Sequence, residues 1–264
     1  MKKIAILLLA ILIFSCSDDD EKGTVENKGQ LAMIFNESVK NDSNPVDKTE
    51  KFMFDGERLI QHIIKQRYFE EEISNEVNLS YSDNQVTVTT DYPTLVYTLN
   101  SEGYASQCVY SLSSQNRIYQ FSYSAEGYLT GIVENIDNTE YSSTSLTYEN
   151  GDITSISSKM NGLENKFIYE PGEESSTYHL PCLGLLEIHP LTFHIEALYA
   201  GLLGKDPRHF TIRSCPAGSN DEKTIYSYEF DKKGNPSRMI CQTTYAGGQA
   251  SYYPYTLNIS VSFE

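Results

Sequence analysis

Hydrophobic and polar residues alternate along most of the chain, and short polar turns interrupt the alternation at regular intervals. In "FSYSAEGYLTGI" (121–132), alternating aromatic residues lead into a polar turn that ends in glycine, and aliphatic residues follow. Close variants surround Gly103, Gly151 and Gly234, and Gly103, Gly127 and Gly151 are 24 residues apart. Period-2 segments bounded by turn residues at a fixed spacing are typical of repeated antiparallel hairpins.

Further turn signals lie midway between these glycines, at "SSQN" (113–116), "DNT" (137–139) and "MNG" (160–162). A turn therefore recurs about every 11 to 12 residues, as expected for a meander of short strands. The stretch 59–68 also fits one face of a helix, but its position in the repeat favours a strand. The sequence predicts a mostly β fold, an antiparallel meander of repeated hairpins that forms a curved sheet or an open barrel.

The residues after each corner glycine raise a question of register. Apolar residues stand two and five positions after the glycine, as Leu129 and Ile132 do after Gly127. An odd separation places two residues on opposite faces of a regular strand. Either a β-bulge intervenes or both faces of the sheet are partly covered. Cys108, at the second of these positions, is predicted to be a core residue.

One segment, residues 181–206, departs from the alternation. Its apolar residues Leu191, Ile195, Leu198 and Leu202 recur at helical spacing, and Gly204 ends the pattern. We expect one short helix, or two joined at the proline, inserted into the meander. Such a helix has to bury its apolar stripe, and the concave face or the open mouth of the sheet is the natural place.

The N-terminus carries an export signal. A basic start and a run of eleven apolar residues lead to Cys16, which predicts a lipoprotein signal peptide over 1–15 and acylation of Cys16, for example with palmitate. The acidic residues after Cys16 are typical of lipoproteins exported to the cell surface, or they form a solvated tether. We therefore expect a lipidated tether over 16–30, a single β-repeat domain over 31–264, and anchoring to the outer membrane, at the surface or facing the periplasm.

Charge and cysteine content restrict the partners. The formal net charge of −16 opposes binding to nucleic acid, since phosphate recognition needs a basic surface.

Four cysteines besides Cys16 permit two disulfides in an oxidising compartment. Cys182 and Cys215 each adjoin a proline and flank the insert, so a bridge between them is one hypothesis, with buried free thiols as the alternative.

The strand–turn–glycine units resemble the YD repeats of large secreted β-shell proteins, although aspartate of that motif stands only at Asp55 and Asp231. Together with the lipobox at Cys16, the "TYAGG" near the C-terminus and the "LYAGLLGK" of 198–205, they resemble a family of uncharacterised Bacteroidetes lipoproteins. That family is a domain of unknown function with a porin-like fold. The resemblance implies the fold and the envelope location, and it implies no catalytic residue.

The sequence offers little catalytic chemistry. Nucleophile-elbow, phosphate-loop and zinc-protease motifs do not occur in it, and we predict no catalytic residue and no cofactor. A metal site would need the group Glu187, His189, His194 and Glu196. The two histidines are five positions apart, which does not place them on one helical face, so we expect capping or core-edge histidines and no metal. His62, His179 and His209 stand apart from other candidate ligands.

Tyrosine is the outlier of the composition, with twenty tyrosines and no tryptophan. Most lie at repeat positions, where cross-strand pairing explains them. A cluster near the C-terminus lies partly outside the repeat and predicts an exposed aromatic patch, which would bind a glycan or an outer-membrane protein. The patch consists of Tyr245, Tyr252, Tyr253 and Tyr255.

The first functional hypothesis is thus a non-enzymatic binding or scaffolding lipoprotein. The alternatives are a carrier of an apolar ligand in a cavity under the insert and, less favoured, a hydrolase.

Overall fold

The computed structural model describes residues 31–39, 46–68, 71–90, 93–112, 115–175, 179–180, 185, 188–219, 221–245, 247–248 and 255–263. Within these residues sixteen strands follow one another in chain order, and each pairs antiparallel with the next. The first and last strands also pair, so the sheet closes into a barrel. The strands are β1 Leu31–Val39, β2 Val46–Asp55, β3 Arg58–Tyr68, β4 Glu71–Tyr81, β5 Gln85–Thr89, β6 Thr94–Leu99, β7 Ala105–Leu112, β8 Gln115–Tyr123, β9 Leu129–Ile136, β10 Thr139–Glu149, β11 Asp152–Met160, β12 Leu163–Pro171, β13 Thr211–Pro216, β14 Lys223–Phe230, β15 Pro236–Thr244 and β16 Tyr255–Phe263.

The predicted antiparallel meander is therefore confirmed, including β3 over the stretch that also fitted a helix. The sequence predicted a curved sheet or an open barrel and did not decide whether the sheet closes. Closure comes from pairs such as Phe35 with Ile259, which are brought together only when the whole meander has curved round. Closure leaves no strand of the sheet with an unpaired edge.

A β-bulge after the corner glycine explains the odd spacing of the apolar residues. On β9, Leu129 pairs with Tyr123 and Gly131 pairs with Ser122, so Thr130 is an extra residue. The same shift recurs on β3, β7, β11 and β15. The bulge returns Leu129 and Ile132 to the same inward face, where both are buried. In three copies a hydroxyl of the bulged residue donates to a carbonyl of the preceding strand: Ser106 to Thr98, Thr154 to Thr147 and Ser237 to Glu229.

Alternate hairpin turns lie at opposite ends of the barrel. We call the end with the corner glycines, among them Gly127 and Gly151, the glycine end. The turns after β7, β9 and β11 lie at the opposite end, which we call the mouth. Because the number of strands is even, β1 begins and β16 finishes at the glycine end.

Tyrosines at the strand ends hold neighbouring strands together at the glycine end. The hydroxyl of Tyr123 donates to the carbonyl oxygen of Ala105 at 2.6 Å, across the β7–β8 pair. Tyr81 donates to Leu59 in the β3–β4 pair, and Tyr228 donates to Thr211 in the β13–β14 pair. These contacts support a structural role for the tyrosines of the repeat.

The two faces of the barrel wall differ in polarity on strands β4 and β10. On β4, Val77 and Leu79 are buried inside, and the exposed residues between and beside them are polar. On β10, Thr144 and Leu146 are buried while Ser145 and Thr147 are exposed. The core of the protein is thus the barrel interior.

The segment between β12 and β13, which we call the insert, enters this interior as expected. It contains a 3₁₀ turn at Leu191–Phe193 and helix α1 at Ile195–Tyr199. Leu191, Leu198 and Tyr199 are buried, and the ring of Tyr199 packs on Phe52 with a centroid distance of 4.2 Å. No helix among the described residues is long and apolar enough to cross a membrane.

Candidate ligand-binding cavity

A cavity of about 330 Å³ lies inside the barrel between the insert and strands β11 to β14. Its size is at the lower end of the range for small-molecule sites, roughly 300–1,000 Å³. Inward-facing side chains of the four strands form its wall, and two residues of the insert form its inner side. The cavity is lined by Ile156, Ser158, Met160, Asn161, Leu163, Asn165, Phe167, Tyr169, Ile188, His189, Ser214, Thr224 and Tyr226.

The cavity reaches solvent at the mouth of the barrel. Leu163 is 73% exposed, and Met160 and Phe167 are each 39% exposed, although all three line the cavity. Deeper in the barrel, Ile156 and Tyr169 are buried. An apolar space with apolar side chains at an open mouth is the geometry of a site that admits a small molecule from outside.

His189 joins the cavity to a buried carboxylate. Its Nε2 lies 2.9 Å from Oε2 of Glu134, which is fully buried, so the imidazole N–H donates to the carboxylate. Ser142 donates to the same oxygen at 2.8 Å. Tyr119 and Arg117 donate to the other oxygen, each at 3.1 Å. Glu134 thus has four donors around its two oxygens, which is close to its full capacity.

Ser142, His189 and Glu134 lie close together but do not form a catalytic triad. Ser142 lies 3.4 Å from Nε2 of His189, the same nitrogen that contacts Glu134. In such a triad, one imidazole nitrogen faces the hydroxyl and the other faces the carboxylate. The hydroxyl of Ser142 also donates directly to Glu134. The cluster fixes the orientation of His189 at the wall of the cavity.

Every histidine of the chain makes a contact at the insert. Nδ1 of His62 on β3 lies 2.8 Å from Oε1 of Glu196 on α1. His209 donates to Asp152 through both its backbone N–H and Nδ1. His179 donates to Asp206 within the insert. These partners are far apart in sequence, which is why the histidines looked isolated there.

His194 is fully buried, as is His62. Its Nδ1 is hydrogen-bonded to the hydroxyl of Tyr97 at 2.8 Å, and its ring packs edge-on against Tyr119. Burial, together with the neighbouring His189, lowers the pKa of His194 to about 3. Burial likewise raises the pKa of Tyr97 well above its ordinary value. Both groups are therefore neutral at physiological pH and anchor the insert through a neutral hydrogen bond.

The end of the insert, residues 202–208, closes over the glycine end; we call it the exit segment. Its backbone hydrogen-bonds to three neighbouring hairpins, at Ala105, Gly127 and Gly151. A wider depression of about 700 Å³ lies on this surface beside Lys205 and Arg208. It is formed by turn residues and side chains of both charges, whereas the cavity inside the barrel has an apolar floor.

Several residues predicted from the sequence lie outside the described residues. They include Cys16, Cys182, Glu187, Tyr252 and Tyr253. Three of the four residues considered as metal ligands are described, and each contacts a different residue of the barrel. His189 contacts Glu134, His194 contacts Tyr97, and Glu196 contacts His62. Among the described residues no group of three or more potential ligands could hold a metal ion.

The remaining predicted residues have described positions. Tyr245 is 58% exposed at the mouth, and Tyr255 begins β16. Cys108 is buried in the core, as predicted. Cys215 on β13 is a free, half-buried thiol in this structure, and its proposed pairing with Cys182 stays a prediction.

The sequence offered a cavity under the insert as an alternative, but it did not identify the residues that line it. The signal of the cavity is the small hydroxyl residues at inward positions of the wall, such as Ser158, Ser214 and Thr224, where other strands carry large apolar residues. Small side chains facing the insert leave space that Leu129 and Ile132 fill elsewhere. His189 was expected to be a capping or core-edge histidine, and its contact with Glu134 was not foreseen.

Comparison with known proteins places this geometry in a family. The profile of a domain of unknown function (DUF4595) with porin-like fold matches residues 37–238. A porin-like protein from Bacteroides uniformis ATCC 8492 has a crystal structure with a TM-score of 0.80 and 26% identity, covering 88% of this chain and 96% of that one. A porin-like protein from Bacteroides vulgatus ATCC 8482 shares the fold at a TM-score of 0.56 and 10% identity, covering 86% and 96%. Among curated proteins, none matches the sequence.

Proposed function

This chain belongs to that family of porin-like domains of unknown function, and we propose that it binds a small, mostly apolar molecule inside its barrel. The observation that carries the proposal is the cavity of about 330 Å³ with apolar residues from its floor to its exposed mouth. This is the apolar-ligand carrier that the sequence offered as an alternative to a surface-binding module.

The occupied lumen supports binding rather than passage. The insert fills the barrel interior with Leu191, Leu198 and Tyr199, and its exit segment hydrogen-bonds across the glycine end. A molecule that enters at the mouth therefore meets the insert. A site that the insert blocks on its inner side retains its ligand, as expected for a carrier or a receptor.

Polar outward residues on β4 and β10 support a barrel that stands in water and is held by a lipid. Membrane-spanning barrels carry an apolar outward band about 25 Å tall. Here the outward residues of β4 include Glu76, Asn78 and Ser80, and those of β10 include Ser145 and Thr147. We propose that acylation of Cys16 anchors the protein to the outer membrane and that the acidic residues after it direct it to the cell surface.

A fluorescence titration tests the binding proposal. The protein used is residues 17–264, which contain every strand of the barrel and need no detergent, and the probe is the neutral dye N-phenyl-1-naphthylamine. Asn165→Trp places an indole in the cavity and should weaken dye binding at least tenfold. Lys166→Trp adds the same ring one residue away, on the outward face of β12, and should leave binding within twofold. Equal effects of the two variants, or no dye binding to the unmodified protein, would contradict the proposal.

The exposed Tyr245 at the mouth carries a second candidate function. Tyr245 is 58% exposed, which suits an aromatic contact for a glycan or for an outer-membrane protein. Glycan-array and pull-down experiments with Tyr245→Ala and Tyr252→Ala test it. Binding that survives replacement of all four tyrosines of the patch would remove this candidate.

A further inference from the structure

We infer that the ligand enters the barrel as a neutral amphiphile, with an apolar body and an uncharged oxygen-bearing head such as a hydroxyl or an ester. This inference rests on the proposed function and adds the chemical class of the ligand. It follows from the charges and the hydrogen-bonding groups that face the cavity.

The lining of the cavity contains no permanently charged side chain. Of its thirteen residues none is Asp, Glu, Lys or Arg, although the chain as a whole has a net charge of −16. An ionised ligand group would leave water without gaining a counter-charge from the wall. Burying an unpaired charge is far more costly than burying a hydrogen-bonded polar group.

A buried carboxylate behind the cavity wall is already paired. Glu134 lies behind His189, and its carboxylate accepts hydrogen bonds from Arg117, Tyr119, Ser142 and His189. The guanidinium of Arg117 balances its charge at a distance of 3.1 Å. The cavity lining therefore presents no permanently charged group to a ligand.

The polar groups that do face the cavity are neutral donors and acceptors. Ser214 and Tyr226 lie 3.2 Å apart and share a hydrogen bond, and a hydroxyl can still accept from or donate to a ligand. Ser158 and Thr224 contribute further hydroxyls. At the mouth, the carboxamides of Asn161 and Asn165 suit a hydroxyl or a carbonyl group. These groups solvate an uncharged head without supplying a counter-ion.

A matched pair of ligands tests the inference. 1-Decanol and decanoate share the same apolar chain and differ in the charge of the head at pH 8. Each displaces N-phenyl-1-naphthylamine from residues 17–264 in a competition titration. We expect decanol to compete at a concentration at least tenfold lower than decanoate. Equal or stronger competition by decanoate would overturn the inference, as would dye binding that decanol does not displace.

The two proposals fail in different ways. If the dye does not bind, the proposed function fails and the inference fails with it. If the dye binds and decanoate competes as well as decanol, the cavity binds ligands but does not select neutral ones. Only the inference about charge is then wrong.

A charge placed at the mouth gives a second readout on the same protein. Asn165→Lys adds a cation to the lining and should improve competition by decanoate at least fivefold while leaving decanol within twofold. Ile168→Lys adds the same charge on the outward face of β12 and should change neither ligand by more than twofold. Because both positions are exposed on the same strand, both variants are expected to fold. A decanoate affinity unaffected by Asn165→Lys would contradict selection by charge at this cavity.

Discussion

The backbone N–H of Lys205 donates to the carbonyl oxygen of Gly127 at 2.9 Å. Three residues further along, Arg208 donates to Gly151, and three residues earlier the carbonyl of Leu202 accepts from Ala105. The exit segment therefore matches the hairpin repeat of the barrel, because every third residue of it bonds to the next corner.

This match predicts an unusual sensitivity at Gly204. A Cβ added there would lie 2.6 Å from the carbonyl oxygen of Gly127, and Gly204 also has a φ of +90°. Gly218 has a similar φ of +81° but open space around it. Gly218→Ala should lower the free energy of unfolding by about 1–2 kcal/mol through backbone strain alone. Gly204→Ala should lower it by a further ~1–3 kcal/mol, because the exit segment has to move.

Chemical denaturation of the two glycine variants measures both values. The difference between them isolates the close contact with Gly127, since the left-handed conformation is common to both. An equal loss of stability in the two variants would contradict the packing of the exit segment against the hairpin corners.

The buried imidazole of His194 predicts a dependence of stability on pH. Its folded pKa of about 3 lies below the value of about 6.5 for an exposed imidazole. The unfolded chain therefore binds the proton first, and the stability that neutral His194 contributes is lost as the pH falls below 6.5 towards 3. The slope from this group alone is about 1.4 kcal/mol per pH unit.

His194→Gln keeps a hydrogen-bonding side chain and removes the titration. We expect the free energy of unfolding of this variant, measured between pH 6.5 and 5, to fall less steeply than that of the unmodified protein. His179 acts in the opposite direction, because Asp206 raises its pKa against the effect of burial. That contribution is common to both proteins and cancels in the comparison. Identical slopes would show that His194 does not stay neutral in the fold.

The predicted lipid anchor depends on one residue. Palmitate labelling in a Bacteroidetes host should label the unmodified chain and should not label Cys16→Ala. The unmodified protein should sediment with the outer membrane. An unacylated, unanchored mature protein would contradict the predicted signal and the proposed location together.

Local features of the fold could be predicted from the sequence because their causes are local. The glycines at 103, 127 and 151 mark hairpin corners, and they adopt the positive φ that such corners need. The offset between Leu129 and Ile132 allowed either a bulge or a sheet covered on both faces, and the strand register shows the bulge. The helical spacing of the insert predicted a buried helix, and α1 lies in the barrel interior.

Long-range pairing was not visible in the sequence. His62 meets Glu196, which is 134 residues away, and Glu134 meets His189, which is 55 residues away. Neither pair has a sequence spacing that suggests contact. Closure through Phe35 and Ile259 depends on the accumulated curvature of all the strands between them. The cavity depends on how the insert fills the closed barrel, so it too requires the three-dimensional structure.

Anomalous diffraction tests the central claim most directly. Crystals of residues 17–264 soaked in 10-bromo-1-decanol, a neutral amphiphile with a bromine at its apolar end, report the position of the ligand. The account predicts a bromine peak inside the barrel, near Ile156, Tyr169 and Ile188, that is absent from identically soaked crystals of Asn165→Trp. Bromine peaks confined to the outer surface, or an interior that stays empty at saturating ligand, would contradict it.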